Sequence, residues 1–503
     1  MPATGGTMPA GAGHKTLFFP GFILLVLGLA ACGGDAEPRP DAAPVNELAQ
    51  PDISAATPIP VPTLVLTPTP VPPTQTVVPT TAPKPAPTPA PLPPTFTAMP
   101  TREPVLGTVR PNEVSDSQLK MGQWLDNVPD EYRRFFGCSG TGPVEFDHAP
   151  MRFEDFSNIT PYGLVGGGHV TPIDHMYFIP RDLGLGRHAY EVRAIQDGVI
   201  YDLQPRDFFT ETGQAQEREW RMDIAHTCTF HSYFDLLSSL EPWILTEWEK
   251  TQGGETGSWV GIPIKSGQVV GRIGVPQSLD FGVYNYETVL PGYVFPEHYD
   301  HEPWKIHTVD PFPYFPTEIR EVLLQRNLRK VEPLAGKIDY DIDGKLSGNW
   351  FQQGTNWYAG VDGRRYWSGH LSIAPEHIDP TQWIFSIGHW PGEHDGSGTA
   401  QYLIVNADPN PQKVDVKNGI VKYELGYVWY CSVEETERCG HAYTWDGSVE
   451  LYARHMTENV HEPIAGVALV QMLEDRLLKV EAFPGKKIAE VEGFTSAAAL
   501  YER

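Results

Sequence analysis

Two compact stretches of this 503-residue chain gather side chains able to hold a cation or move a proton. Glu297-His298-Tyr299-Asp300-His301-Glu302 is rich in imidazole and carboxylate, but its spacing matches no ligand pattern and favours a solvated loop. Asp339-Tyr340-Asp341-Ile342-Asp343-Gly344 imitates the start of a calcium loop. The twelfth position of such a loop holds a bidentate glutamate, and here it is Trp350. The period-2 alternation of Ile338 to Asp343 instead makes Asp343-Gly344 a hairpin turn. Further on, His370, His377, His389 and His394 are scattered among Trp367, Trp383 and Trp390. They read as surface or core-edge residues, the alternative being an aromatic-lined pocket in a barrel mouth for a small ligand or sugar.

The elements that must position these residues are short and alternating. Tyr190 to Ile195, Gly198 to Tyr201, Trp220 to Ala225 and Val269 to Gly274 carry strand patterns separated by turn residues. Helices are expected around Ser117 to Leu125 and Phe234 to Leu240. Beyond residue 330, Tyr402 to Val405, Ile420 to Leu425 and Leu477 to Phe483 repeat the strand pattern, with a closing hairpin from Leu469 to Gly485. The fold class is therefore mainly β: an antiparallel β domain at 106–330 followed by a β-barrel or sandwich at 331–503, a calycin-like barrel being one form.

Between residues 165 and 287 six weak motifs fall in a telling order. They are Gly168-His169 with Asp174-His175, then Asp197-Gly198-Val199, Asp223-Ile224-Ala225-His226 and Tyr233-Phe234-Asp235-Leu236. Gly267-Gln268-Val269 and Ser278-Leu279-Asp280-Phe281 complete the series. This order resembles the lysostaphin-type zinc endopeptidases, which cleave peptidoglycan cross-bridges. The resemblance implies a lysostaphin-like β domain with a metal set of His169, Asp174 and Asp280, the last in place of an imidazole, for zinc or another divalent ion. A catalytic zinc wants three protein ligands and an open position; two carboxylates would shift the preference toward harder metals. The His-to-Asp step is one residue longer than the family's, and His175 is expected on the opposite face of the strand. Asp235 and Ser278 stand where the family has two histidines that stabilise and protonate the tetrahedral intermediate. An ionised Asp235 would repel an oxyanion, with His226 and His231 near enough in sequence to compensate. The catalytic candidates are thus His226 and Asp235.

At the N-terminus, His14 and Lys15 precede an apolar run from Leu17 to Ala30, too short to span a bilayer comfortably. It ends in Leu29-Ala30-Ala31-Cys32-Gly33, which resembles the lipobox of bacterial lipoprotein precursors. The resemblance implies a signal peptide at 1–31, lipidation of Cys32, and an exported chain anchored on the outer face of the cell membrane. Residues 32–105 form a stalk in which Pro, Thr, Ala and Val dominate from Pro51 to Pro104. Proline removes amide donors and fixes φ, so polyproline II is expected, with a reach on the order of 150 Å.

The formal net charge of −26 and pI near 5.0, without a cluster of Lys and Arg, exclude nucleic acid as a partner. With Cys32 lipidated, the even number of remaining cysteines favours two disulfides outside the cytoplasm, paired Cys138 with Cys228 and Cys431 with Cys439 by domain. The leading expectation is a surface lipoprotein whose degenerate peptidase-like domain binds an envelope ligand such as peptidoglycan or another glycan. The rival is an active metal-dependent peptidoglycan endopeptidase.

Overall fold

The computed structural model describes residues 138–206, 218–251, 259–274, 278–361, 364–391, 398–434, 438–455 and 464–503. Cys32, the stalk, the expected helix near Ser117 and His394 lie outside them. The described part is mainly β, with two α-helices: α1 (Pro242–Thr251) and α2 (Thr317–Arg326).

The first half is a seven-stranded antiparallel sheet. Its order is β1 (Phe156–Thr160), β2 (Met176–Pro180), β10 (Leu279–Asn285), β6 (Phe230–Leu237), β5 (Glu219–Ala225), β4 (Gly198–Arg206) and β8 (Trp259–Ile264). A small sheet of β3 (Tyr190–Arg193), β9 (Val269–Ile273) and β7 (Ser239–Leu240) accompanies it. Phe178, Phe281, Val283, Phe234, Met222 and Ile224 share one core with Tyr190, Val192, Val270 and Ile273 of the small sheet. Alternation then sends Tyr177, Asp280, Asp235, Tyr233, Arg221 and Asp223 to the other face of the large sheet. These residues are buried too, so β5, β6 and β10 are covered on both faces.

Phe234 to Leu240 is strand, not helix; α1 begins only at Pro242. The paired apolar and polar residues of β6 serve two covered faces, which single-face amphipathicity misreads. Cys138–Cys228 and Cys431–Cys439 are bonded, as their positions in the chain led us to expect.

The second half closes into an eight-stranded antiparallel barrel. Its strands are β11 (Gly348–Gln352), β12 (His370–Pro375), β13 (Trp383–Ile387), β14 (Ala400–Val405), β15 (Val421–Gly426), β19 (Gly466–Glu474), β20 (Leu477–Pro484) and β21 (Ala499–Glu502). Closure removes sheet edges. Alternate positions such as Trp350, Leu371, Ile373, Phe385, Tyr423 and Val470 fill the interior. A three-stranded sheet of β16 (Trp429–Ser432), β17 (Cys439–Gly440) and β18 (Leu451–Arg454) is inserted between β15 and β19. The expected turn forms at Asp343-Gly344, but Ile338 to Ile342 joins no strand ladder. The hairpin of β19 and β20 forms as expected, and β21 follows it. Among the described residues no helix is long and apolar enough to cross a membrane.

Candidate functional site

The polar face of the large sheet gathers the chemistry-bearing residues of the first half. Asp280 of β10 lies directly opposite Asp235 of β6 on one side and Tyr177 of β2 on the other. Gly282 follows in the same row, where a Cβ would collide with the Tyr233 ring. Glycine there lets Tyr233 lie flat, stacked on Tyr284 with the Arg221 guanidinium 3.9 Å over its ring.

Asp174 and His175 sit in a bend just before β2. Strand alternation does not govern them, which corrects the expectation that His175 points away. Its Nδ1 faces Asp174 Oδ1 at 3.7 Å, and its Nε2 faces Asp280 Oδ2 at 3.3 Å and the Tyr177 hydroxyl at 3.0 Å. His169 is half-buried, its ring centre 5.4 Å from that of His175. The three expected metal-set residues therefore meet in one cluster, with His175 at its middle.

A residue that sequence reasoning missed completes the cluster. Lys305, only 1% exposed, lies in the 3-10 turn Pro303–His307 with its ammonium 3.6 Å from Asp174 Oδ1. No local pattern marks one lysine among prolines and aromatics as a core residue. The segment expected to be a solvated loop folds over the sheet instead, with Tyr299 buried and His298 stacked on Trp357 at 3.7 Å.

Electrostatics divides the carboxylates. Burial pushes Asp174 upward, but Lys305, His175 and Arg221 outweigh it and hold the carboxyl well below its usual range. Burial, and then the Asp235 charge across the ladder, raise Asp280 well above its usual value. Asp235 is paired with Arg206, and Arg221 lies 3.7 Å from it. Burial first, then the neighbouring His175 and Lys305, lowers His169 to about 3.

His226 and Asp235 are not brought together. His226 Nε2 shares a hydrogen bond with Ser232 Oγ at 2.8 Å, and its Nδ1 donates to the Asp197 carbonyl at 2.9 Å. The ring packs near Phe146, on the apolar side of β6. Asp235, three residues beyond Ser232, projects from the opposite face. The two expected catalytic residues therefore lie on opposite faces of the sheet. Burial lowers His226 to about 4 and His231 to about 3.

The implied metal can be tested against this arrangement. Bonds of about 2.0–2.2 Å place any two N or O donors of one zinc at most about 4.4 Å apart. Here Asp174 and Asp280 face different nitrogens of the same imidazole, and one imidazole gives a single ion only one nitrogen. Lys305 already supplies positive charge to Asp174. Among the described residues no group of three or more His, Cys, Asp or Glu is disposed to hold a metal ion. Three buried donor atoms do lack hydrogen-bond partners: Asp174 Oδ2, His175 Nδ1 and Asp280 Oδ1.

No known protein family matches the chain, and no curated protein is significantly similar to it.

Proposed function

We propose that this chain is an exported lipoprotein, anchored through Cys32, whose lysostaphin-like sheet domain binds an envelope glycan such as peptidoglycan without cleaving it. The lipobox-like end of the apolar N-terminal run and the proline-rich stalk support the location. The observation that carries the non-hydrolytic reading is the His175 imidazole standing between Asp174 and Asp280, with Lys305 against Asp174. A zinc hydrolase polarises water with its open metal position; here a fixed ammonium and a shared imidazole balance the charge instead. Asp235, which the resemblance sets in the place of a histidine, is paired with Arg206.

Metal analysis of the purified chain tests this reading, together with a cleavage assay on isolated peptidoglycan. The expected result is far less than one zinc per chain, no soluble fragments released, and co-sedimentation of the protein with the wall material. Stoichiometric zinc with cleavage, both lost in Asp174→Ala, would overturn it. That rival reading, an active endopeptidase, is favoured by one feature: the three unpartnered donor atoms at the cluster. The anchor is tested separately by Cys32→Ser, which is expected to abolish palmitate labelling and release the chain from the membrane fraction.

A further inference from the structure

The barrel has one plugged end and one open end. At the plugged end Trp350 is fully buried, and the Arg503 guanidinium lies 4.0 Å over its ring. Arg503 also donates to the carbonyls of Ile342, Ser347 and Asn349, sewing the last residue of the chain onto the entry to β11. At the other end, the finish of β11 and β13 and the β20–β21 pair surround a cavity of about 540 Å³. That volume falls within the range of small-molecule sites.

The floor of this cavity is made by Ile387, Val480, Ala482 and Ala499, inward positions of the barrel. Elsewhere the inward positions carry Trp383, Phe385 and Tyr423, which fill the interior. Alanines on the neighbouring strands β20 and β21 leave the mouth hollow where the rest is solid. The rim differs in kind. Arg364 and Arg365 are exposed at its edge, and among the described residues no carboxylate pairs with either. The carboxylate in the lining, Glu481, is occupied by the backbone N–H of Thr495 at 2.6 Å and by the Thr495 hydroxyl. In a chain of net charge −26, two neighbouring guanidiniums above an apolar well, one of them 5.6 Å over the Trp367 ring and neither paired with a carboxylate among the described residues, mark a place suited to an anion.

We infer that the barrel mouth binds an amphiphilic carboxylate, its chain in the alanine-floored well and its head on Arg364 and Arg365. Water leaves the well as the chain enters, so each added methylene tightens binding roughly fourfold until the well is full. Guanidinium and carboxylate supply the selectivity, since a neutral head of equal chain length loses the charge-assisted bonds. The inference rests on the barrel alone and is independent of whether the sheet cluster takes a metal.

Calorimetric titration of the whole mature chain with octanoate, decanoate and dodecanoate, and with decanol as the neutral control, tests this. Decanoate is expected to bind one to one and at least about tenfold more tightly than decanol. The Arg364→Gln/Arg365→Gln double variant should bring decanoate down to the level of decanol and leave decanol unchanged. Ala499→Phe should abolish both; if it melts early, Ala497→Trp at the rim replaces it. Equal affinity for decanoate and decanol, no dependence on chain length, or binding that survives the filled well would each overturn the proposal.

Discussion

The sheet half and the barrel half bury similar kinds of strand by opposite means. In the barrel, the inward rows are mostly apolar, and Trp350, Phe385, Tyr423 and their neighbours fill the interior beneath the mouth. In the sheet, one face is equally apolar, but the other buries Asp174, Arg221, Asp223, Asp235, Asp280 and Lys305. An apolar core gains from every atom it removes from water. A buried charge cluster gains only while each member keeps its partner, because ion desolvation opposes the Coulomb attraction. The barrel should therefore tolerate changes that conserve volume, and the sheet face should tolerate changes only in pairs. Lys305 and the two arginines supply the partners that hold the charged face together.

The largest expected contrast lies in the crosslinks. Cys138–Cys228 closes 90 residues in the sheet half, whereas Cys431–Cys439 closes 8 beside the barrel. Loop-closure entropy assigns about 4.5 kcal/mol to the first and about 2.5 kcal/mol to the second. Urea melts of Cys138→Ala/Cys228→Ala and Cys431→Ala/Cys439→Ala should differ by that margin. Equal losses would mean that the unfolded sheet half already holds its ends together.

Next in size is the buried pair. Arg221 donates to Asp223 twice, Nε to Oδ2 at 2.9 Å and Nη2 to Oδ1 at 3.0 Å, with both side chains nearly inaccessible. Asp223→Leu strands the guanidinium and should cost about 4 kcal/mol. Arg221→Met/Asp223→Leu should recover most of that loss, since neither charge remains to be desolvated. A double variant as unstable as the single one would show that Arg221 matters through Tyr284 and Tyr233 rather than through Asp223.

Acid probes one histidine from each half. His231 and His370 are each 1% exposed, and burial lowers both to about 3. Unfolded, each would bind a proton near pH 6.5. Between pH 6.5 and 3 the unfolded state holds more protons, so stability falls as pH falls, by up to about 1.4 kcal/mol per unit for each histidine. Thermal melts from pH 7.5 to 5 should show that slope, and His231→Phe should flatten it. His370 donates from Nε2 to the Tyr358 carbonyl at 3.0 Å, so replacing it carries an added loss at every pH. A slope unchanged by His231→Phe would place the acid sensitivity elsewhere.

Which parts of this were legible follows from range. Strands such as Trp220 to Ala225 and Leu477 to Phe483 announce themselves by local pattern, and both disulfides follow from counting within each half. The convergence of His169, Asp174 and Asp280 was reachable through motif order. Three features were not. Asp174 and His175 lie in a bend, where alternation assigns no face. His226 and Asp235 share a neighbourhood in sequence, but His226 packs against the apolar face of the sheet and Asp235 projects from the other. Lys305 comes from a turn about 130 residues beyond Asp174, a pairing set by the tertiary fold alone.

The smallest expected effect is the sharpest test of burial as the deciding variable. Arg476 and Asp343 repeat the geometry of Arg221 and Asp223: Nε to Oδ1 at 3.0 Å and Nη2 to Oδ2 at 2.9 Å. Their side chains are 49% and 52% exposed, against 10% and 6% for the sheet pair. Water screens the exposed pair, and removing Asp343 leaves a guanidinium that is simply solvated. Asp343→Asn should therefore cost less than about 1 kcal/mol in a urea melt, and less still at high salt. If it costs as much as Asp223→Leu, bidentate geometry and not burial sets the value of these pairs, and the contrast between the two halves loses its physical basis.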